Sequence, residues 1–211
     1  MTMRSLLFVP GDSEKKILKA TATDADCLIL DLEDAVAFEK KTIARDIATA
    51  FLTGNPDREK DIYVRINPLD GPFYLEDCYS IIPACPTGIV IPKVNGVEDI
   101  LKVVSMLEIL EKEHDTPSES TKIIALTAET PESIFSLGDF RELIPRLQAL
   151  TWGAEDLGAS ISSTSNLTDS KNWTAPFQLV RSLCLFAAHA AGVEAIDTVM
   201  ADFKDTKHLA T

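Results

Sequence analysis

The stretch "CLILDLEDAV", residues 27–36, decides how the chain is read. An apolar run from Cys27 to Leu30 meets three acids, Asp31, Glu33 and Asp34, within four residues. A run of that kind suits a strand buried on both faces, and the acids mark where it ends. Upstream, "SLLFVP" (5–10) is a second apolar run, closed by Pro10-Gly11. It leads into "DSEKKILKAT", a helix pattern with Asp12 or Ser13 as N-cap. Downstream come "DIYVRINP" (61–68), "GIVIPKV" (88–94), "KIIALTAET" (122–130), "ALTWGAEDL" (149–157) and "EAIDTVMADF" (194–203). Helical patterns lie between them. The clearest is "VEDILKVVSMLEILEKEH", where Ile100, Val103, Val104, Leu107 and Leu110 recur at i, i+3, i+4, i+7 spacing.

Seven strand candidates, most followed by a helix, imply an α/β fold with a parallel sheet covered on its faces. An open doubly wound sheet and a (β/α)₈ barrel one unit short both fit. No GxGxxG follows the first strand, which weakens the dinucleotide-binding reading. The strand ends favour the barrel. Asp31, Glu33 and Asp34, then Arg65 and Asn67, Lys93, Glu129, Glu155 and Asp156, and Asp197 and Asp202 stand at or just past them. In a barrel such ends gather at one mouth. So many acids in one place call for a hard cation, Mg²⁺ or Mn²⁺, bound through oxygen. The histidines, His114, His189 and His208, fall in helix-like or tail segments, which disfavours a zinc site or a Ser/His/Asp triad.

Composition narrows the classes further. With 211 residues, 45% of them hydrophobic, the chain can bury a sizeable core. A net charge of −13 disfavours nucleic acid as a partner. No apolar stretch approaches the roughly eighteen residues of a membrane span. The N-terminal apolar run is too short for a secretory signal and is stopped by Pro10-Gly11. Cys27, Cys78, Cys85 and Cys184 form no CxxC pair, so reduced thiols and a cytoplasmic setting are expected.

"RSLLFVPGDSEKKILKA", "DCLILDLEDAV", "VRINPLDGP", "GIVIPKV", "TAETPESIF" and "LTWGAEDLGA" occur in this order along the chain. In this it resembles the HpcH/HpaI aldolase–citrate lyase family, in its citrate lyase β-subunit-like branch. The resemblance implies a TIM (β/α)₈ barrel and Mg²⁺-dependent making or breaking of C–C bonds in acyl-thioesters. It implies Glu129 and Asp156 as metal ligands, with Glu129 also near substrate, and Arg65 as the substrate arginine. If "ALTWGAEDL" were strand throughout, Glu155 and Asp156 would point to opposite faces, and the resemblance selects Asp156. Glu155 is then left to an ion pair or a helix N-terminus. Glu33 and Asp34 are expected to orient metal-bound waters and Arg65, and either could pair with Arg65 directly. Asp31 could be structural or functional. Lys93 could form a Schiff base, but an acid-rich mouth favours an ion pair.

The implied substrate is a 3-hydroxyacyl-thioester of the malyl-CoA or citramalyl-CoA type, cleaved to an acyl-thioester and a 2-oxo acid. Arg65 and a backbone N–H of Gly153 or Ala154 would stabilise the thioester enolate. The alternatives are a citrate lyase β subunit acting on an acyl-carrier-protein (ACP) thioester, a related thioesterase, and a non-catalytic barrel. Arg4, Lys15, Lys16 and Lys19 surround the first helix start, where Arg4 and Lys16 could meet the phosphates of CoA or form only a solvated basic face. "ISSTSNLTDSKNW" (161–173) reads as a mobile loop over the mouth. Past "DFKD" (202–205) nothing matches the family's eighth unit. Residues 1–211 are therefore expected to be one barrel domain, incomplete at its C-terminus, with the catalytic base supplied from elsewhere. A homo-oligomer, a trimer by resemblance, would cover the open sheet edge.

Overall fold

The computed structural model describes residues 3–200, and Asp202 lies outside them. Seven strands alternate with helices among the described residues, and their order in the sheet is that of the chain. The strands are β1 (Leu6–Pro10), β2 (Cys27–Asp31), β3 (Asp61–Arg65), β4 (Gly88–Ile91), β5 (Lys122–Thr127), β6 (Leu147–Trp152) and β7 (Glu194–Ala195). The helices are α1 (Glu14–Thr21), α2 (Lys41–Gly54), α3 (Tyr74–Ile81), α4 (Val97–Glu113), α5 (Pro131–Ser136), α6 (Ala154–Ser160) and α7 (Ala175–Ala191). The class is α/β as the sequence implies, and an eighth strand is not among the described residues.

The chain forms two compact units: Met1–Pro92 with Leu101–Ile124, and Lys93–Ile100 with Ala125–Thr211. In the first, β1 to β4 pair in parallel, each with the next. All residues of β2 and β4 are buried, as strands covered on both faces require. Val9, Leu28, Leu30, Ile62 and Val64 pack with Ile17 of α1, Ala44, Ala48 and Leu52 of α2, and Ile81 of α3. Ser13 caps α1, its side chain accepting from the Lys16 N–H. The stripe Ile100, Val103, Val104, Leu107 and Leu110 on α4 is buried. In the second unit β6 pairs in parallel with β7, and α7 buries Phe177, Val180, Cys184 and Ala188.

The strands end earlier than their apolar runs suggest. β2 stops at Asp31, because the Asp31 carboxylate accepts from the N–H groups of Glu33 (2.9 Å) and Ala35 (3.1 Å) and folds the chain into a turn. β4 stops at Ile91, before Pro92. β7 covers two residues of the 194–203 run.

One buried acid orders a turn. Glu111, near the end of α4, accepts from the N–H of Glu119 (2.8 Å) and of Thr121 (3.0 Å), and so fixes the turn that enters β5. Glu111→Gln keeps the size and loses the charge. It should lower the unfolding free energy by about 1.5–3 kcal/mol in urea denaturation, the range for a hydrogen bond to a charged group.

Candidate active site

In the first unit Arg65, the last residue of β3, sits inside a cage of acids. Its Nε and Nη2 donate to the two oxygens of Asp31 at 2.7 and 2.6 Å, a bidentate fork. The parallel register places Asp31 directly beside Arg65, so the pair is built into the β2–β3 ladder. Nη1 lies 2.9 Å from Glu33 Oε2 without hydrogen-bond alignment, and 4.0 Å from Asp34. The guanidinium also stands 4.9 Å from the ring centre of Phe8. Burial works against its charge, but the bonds and charge of Asp31, with Glu33 and Asp34, raise its pKa overall. The bonds to Asp31 use two of its five N–H groups and Nη1 only approaches Glu33, so the side chain, 12% exposed, has N–H groups still to give. Both pairings foreseen for Arg65, with Glu33 and with Asp34, are present. The dominant partner is Asp31, for which the sequence left the role open.

Arg4 and Lys16, the residues expected at the CoA phosphates, stand at opposite ends of β1. Arg4 precedes the strand, largely exposed, and pairs with Asp26 at 2.8 Å. Lys16 follows it, exposed, in the first turn of α1. The structure does not bring the two together.

In the second unit two carboxylates meet. Glu129 follows β5 and is 2% exposed. Its Oε2 accepts from the backbone N–H of Lys93 at 2.6 Å. Burial, and then the adjacent Asp156 carboxyl, push Glu129 up to about 8, against the pull of the Lys93 N–H and ammonium. Lys93 Nζ lies 3.6 Å from Asp156, the ion pair expected of it. Lys93 and Ala128 both have positive φ, 53° and 56°. Each is strained for a residue with a Cβ, by about 1–3 kcal/mol. Backbone strain on both sides of one buried carboxylate marks a geometry imposed by its surroundings.

Asp156 is not on a strand. β6 ends at Trp152, Gly153 is the N-cap, and Glu155 and Asp156 both lie in the first turn of α6. The strand-alternation argument for choosing between them fails here, because helical neighbours are about 100° apart. The outcome is nonetheless a choice: Glu155 is exposed, while Asp156 is half-buried beside Glu129. The acids and the helix N-terminus also suit each other electrostatically.

Gly153 has a spatial task. A Cβ there would lie 2.5 Å from Glu129 Oε1 and 2.6 Å from its Cγ. Its φ of −112° is ordinary, so space, not backbone freedom, excludes a side chain. Gly153→Ala should still fold and push Glu129 aside; with Glu129 read as a metal ligand, Mg²⁺ binding in calorimetric titration should weaken by about 10–100-fold, the range for changes just behind a ligand. The N–H of Ala154, a candidate oxyanion donor, donates to Thr198 Oγ1 at 3.3 Å. The 161–173 segment carries its own hydrogen bonds and is anchored at two points. Asn166 Nδ2 donates to the carbonyl of Ala154 at 3.1 Å, and Trp173 packs edge-on against Trp152. Asp197 accepts from Trp152 Nε1 at 2.9 Å and pairs with Arg181.

The pair fits a small hard cation. Among the described residues no group of three or more His, Cys, Asp or Glu stands ready to hold a metal. Two carboxylates with water completing the shell is the arrangement Mg²⁺ prefers, since it dehydrates reluctantly. A buried acid pressed against a second acid is what a divalent cation would relieve.

The family model for HpcH/HpaI aldolase/citrate lyase matches residues 4–211. The chain belongs to this family. It is 32% identical over 196 residues to citrate lyase subunit beta of Haemophilus influenzae, covering 93% of this chain and 65% of that protein. It is 29% identical over 218 residues to the L-malyl-CoA/beta-methylmalyl-CoA lyase of Cereibacter sphaeroides, covering 96% of this chain and 68% of that one. Protein CitE of Mycobacterium tuberculosis, solved in complex with magnesium, acetoacetate and coenzyme A, superposes with a TM-score of 0.79 at 27% identity. That match covers 99% of this chain and 71% of the CitE chain. The chain thus spans 65% of the length of the citrate lyase subunit it matches. No helix among the described residues is long and apolar enough to cross a membrane.

Sequence reasoning did not single out Lys41, a buried lysine of α2, or Asp77 of α3. Lys41 had a signal. Lys41, Ala44, Arg45 and Ala48 share one buried face of α2, so two cations interrupt its apolar stripe.

Proposed function

We propose that this chain is a Mg²⁺-dependent carbon–carbon lyase acting on a 3-hydroxyacyl-thioester of the malyl-CoA or citramalyl-CoA type. The Glu129–Asp156 pair is the observation that carries the reading. In this reading the two carboxylates hold the cation, with Mn²⁺ as an acceptable substitute. Bound there, Mg²⁺ supplies Lewis-acid polarisation of the substrate's hydroxyl and adjacent carboxylate.

A base takes the hydroxyl proton, and the oxygen's electron pair forms the new C=O of the 2-oxo acid as the C–C bond breaks. The bonding pair passes into the thioester, whose enolate oxygen receives the remaining N–H groups of Arg65. Protonation of the enolate carbon gives the acyl-thioester. Glu33 and Asp31 hold the guanidinium still, which spares reorganisation during the step. Gly153 and Ala154 line the turn beside Glu129, with the Ala154 N–H as a second donor once released from Thr198. Asp34, the most exposed acid of the Arg65 cage, is free to orient water.

The malyl-CoA lyase relative and the CoA-bound neighbour support a CoA ester, and the citrate lyase relatives support an ACP ester. The parallel strand order supports a barrel of the (β/α)₈ type. Four unpaired cysteines suit a cytoplasmic setting, and a homotrimer is the assembly we expect.

The test is a screen of malyl-, citramalyl- and citryl-thioesters with and without Mg²⁺, following free oxo acid and free thiol separately. Oxo acid released only with Mg²⁺, and without thiol, is the expected result. Thiol release alone would make the protein a thioesterase, and no turnover of any ester would defeat the lyase reading.

A further inference from the structure

Helix α2 turns two cations into the interior of the first unit. Lys41 and Arg45 are one turn apart and share a face. They are 9% and 5% exposed. Long cationic side chains normally carry their charge out to water, so two buried on one face need a purpose.

Their contacts supply one. Lys41 Nζ donates to the backbone carbonyls of Leu32 (2.8 Å) and Glu33 (2.7 Å), in the turn that follows β2. Arg45 Nε donates to Asp77 Oδ1 at 2.9 Å. The other oxygen of Asp77 accepts from Asn67 twice, from its backbone N–H at 2.8 Å and from Nδ2 at 2.7 Å. One cation thus grips the segment after β2, and the other, through Asp77, grips the segment after β3. Arg65 and its acids sit at the start of these segments, and the Leu32 N–H donates to the Arg65 carbonyl at 2.9 Å.

We propose that Lys41 and Arg45 form a buried brace that positions Arg65 by fixing the turns after β2 and β3. The proposal rests on the reading of Arg65 as the working donor. The choice of partners is what distinguishes a brace from ordinary core pairing. Lys41 bonds carbonyls and leaves Asp31 and Glu33 to Arg65. A lysine that took a carboxylate directly would draw an acid away from the guanidinium. Arg45 pairs through Nη1 with the exposed Glu76 at 3.0 Å and through Nε with the buried Asp77, which in turn touches the chain two residues past Arg65. Packing alone does not require charge here, since apolar side chains of similar volume commonly replace buried ions without loss of stability.

The readout is the Arg65 Nε–H in a ¹⁵N spectrum, assigned by its loss in Arg65→Lys. In the parent it should exchange slowly, because it is tied to Asp31. Lys41→Met should speed that exchange at least about ten-fold, equivalent to about 1.4 kcal/mol of loosening. Arg45→Met should speed it in the same direction. Lys41→Gln, which keeps a donor and serves if the methionine variant fails to fold, should fall between. Glu111→Gln is the control, destabilised elsewhere, and should leave the signal as in the parent. In the thioester assay Lys41→Met should lower kcat about ten-fold with KM little changed. Arg65 exchange as slow in the Lys41 and Arg45 variants as in the parent, or quickened equally by Glu111→Gln, overturns the brace. If the parent cleaves no thioester, the lyase reading falls, while the exchange measurement still decides the brace.

Discussion

Arg65→Lys should cut lyase turnover by about 10²–10³, the cost of losing one preorganised transition-state donor. The fold and Mg²⁺ binding should survive. The reason lies in how the guanidinium is used. Asp31 takes two parallel N–H groups, and Glu33 stands against the third nitrogen, so one planar group meets two acids and keeps donors to spare. An ammonium has three donors on one atom. It can reach Asp31 or Glu33, but it cannot hold the fork and still present an N–H in a fixed direction. The cage should therefore keep its central positive charge while aim is lost. kcat and kcat/KM should fall together, since the lost interaction is made in the transition state. Turnover by Arg65→Lys equal to that of the parent would make the arginine a structural partner of Asp31 and no more.

Much of this arrangement was legible in the sequence because it is local. An apolar run that meets an acid marks a strand end, and each such run became a strand. The motif matches singled out Arg65, Glu129 and Asp156, and the structure sets Arg65 among acids and Glu129 beside Asp156. What stayed hidden depends on register and on space. Asp31 and Arg65 are far apart in the chain, and only the β2–β3 register makes them neighbours. Gly153 reads as a turn glycine until the Glu129 side chain is seen to fill the volume of its missing Cβ. Asp156 looks like a strand residue because "LTWGAEDL" carries no strong helix-start signal: the cap is a glycine with no side chain to bond. Lys41 looks like a surface lysine next to Lys40, and only the pitch of α2 turns it inward. The early end of β2 has a similar origin. The Asp31 side chain competes for the backbone N–H groups that would otherwise continue the ladder.

That competition makes Asp31 the most vulnerable single residue of the Arg65 cage. It is 1% exposed, and its two oxygens accept four hydrogen bonds: from Arg65 Nε and Nη2, and from the N–H groups of Glu33 and Ala35. Asp31→Ala removes all four acceptors together. It leaves a largely buried guanidinium without its main partner, and removing one side of a buried ion pair costs about 3–5 kcal/mol. The turn after β2 should loosen as well, because its two N–H groups lose the carboxylate that shaped it. Glu33 stands against Nη1, not the Nε–Nη2 edge that Asp31 holds, and its own placement depends on the turn. Urea denaturation should therefore show a fall of this size. Asp31→Asn, which keeps an acceptor for the turn but sets an NH₂ against the arginine, should retain part of the loss. If Asp31→Ala is instead as stable as the parent, Arg65 has found water or Glu33 as a sufficient partner. The cage would then be adaptable, and the argument that a fixed guanidinium serves the chemistry would lose its physical basis.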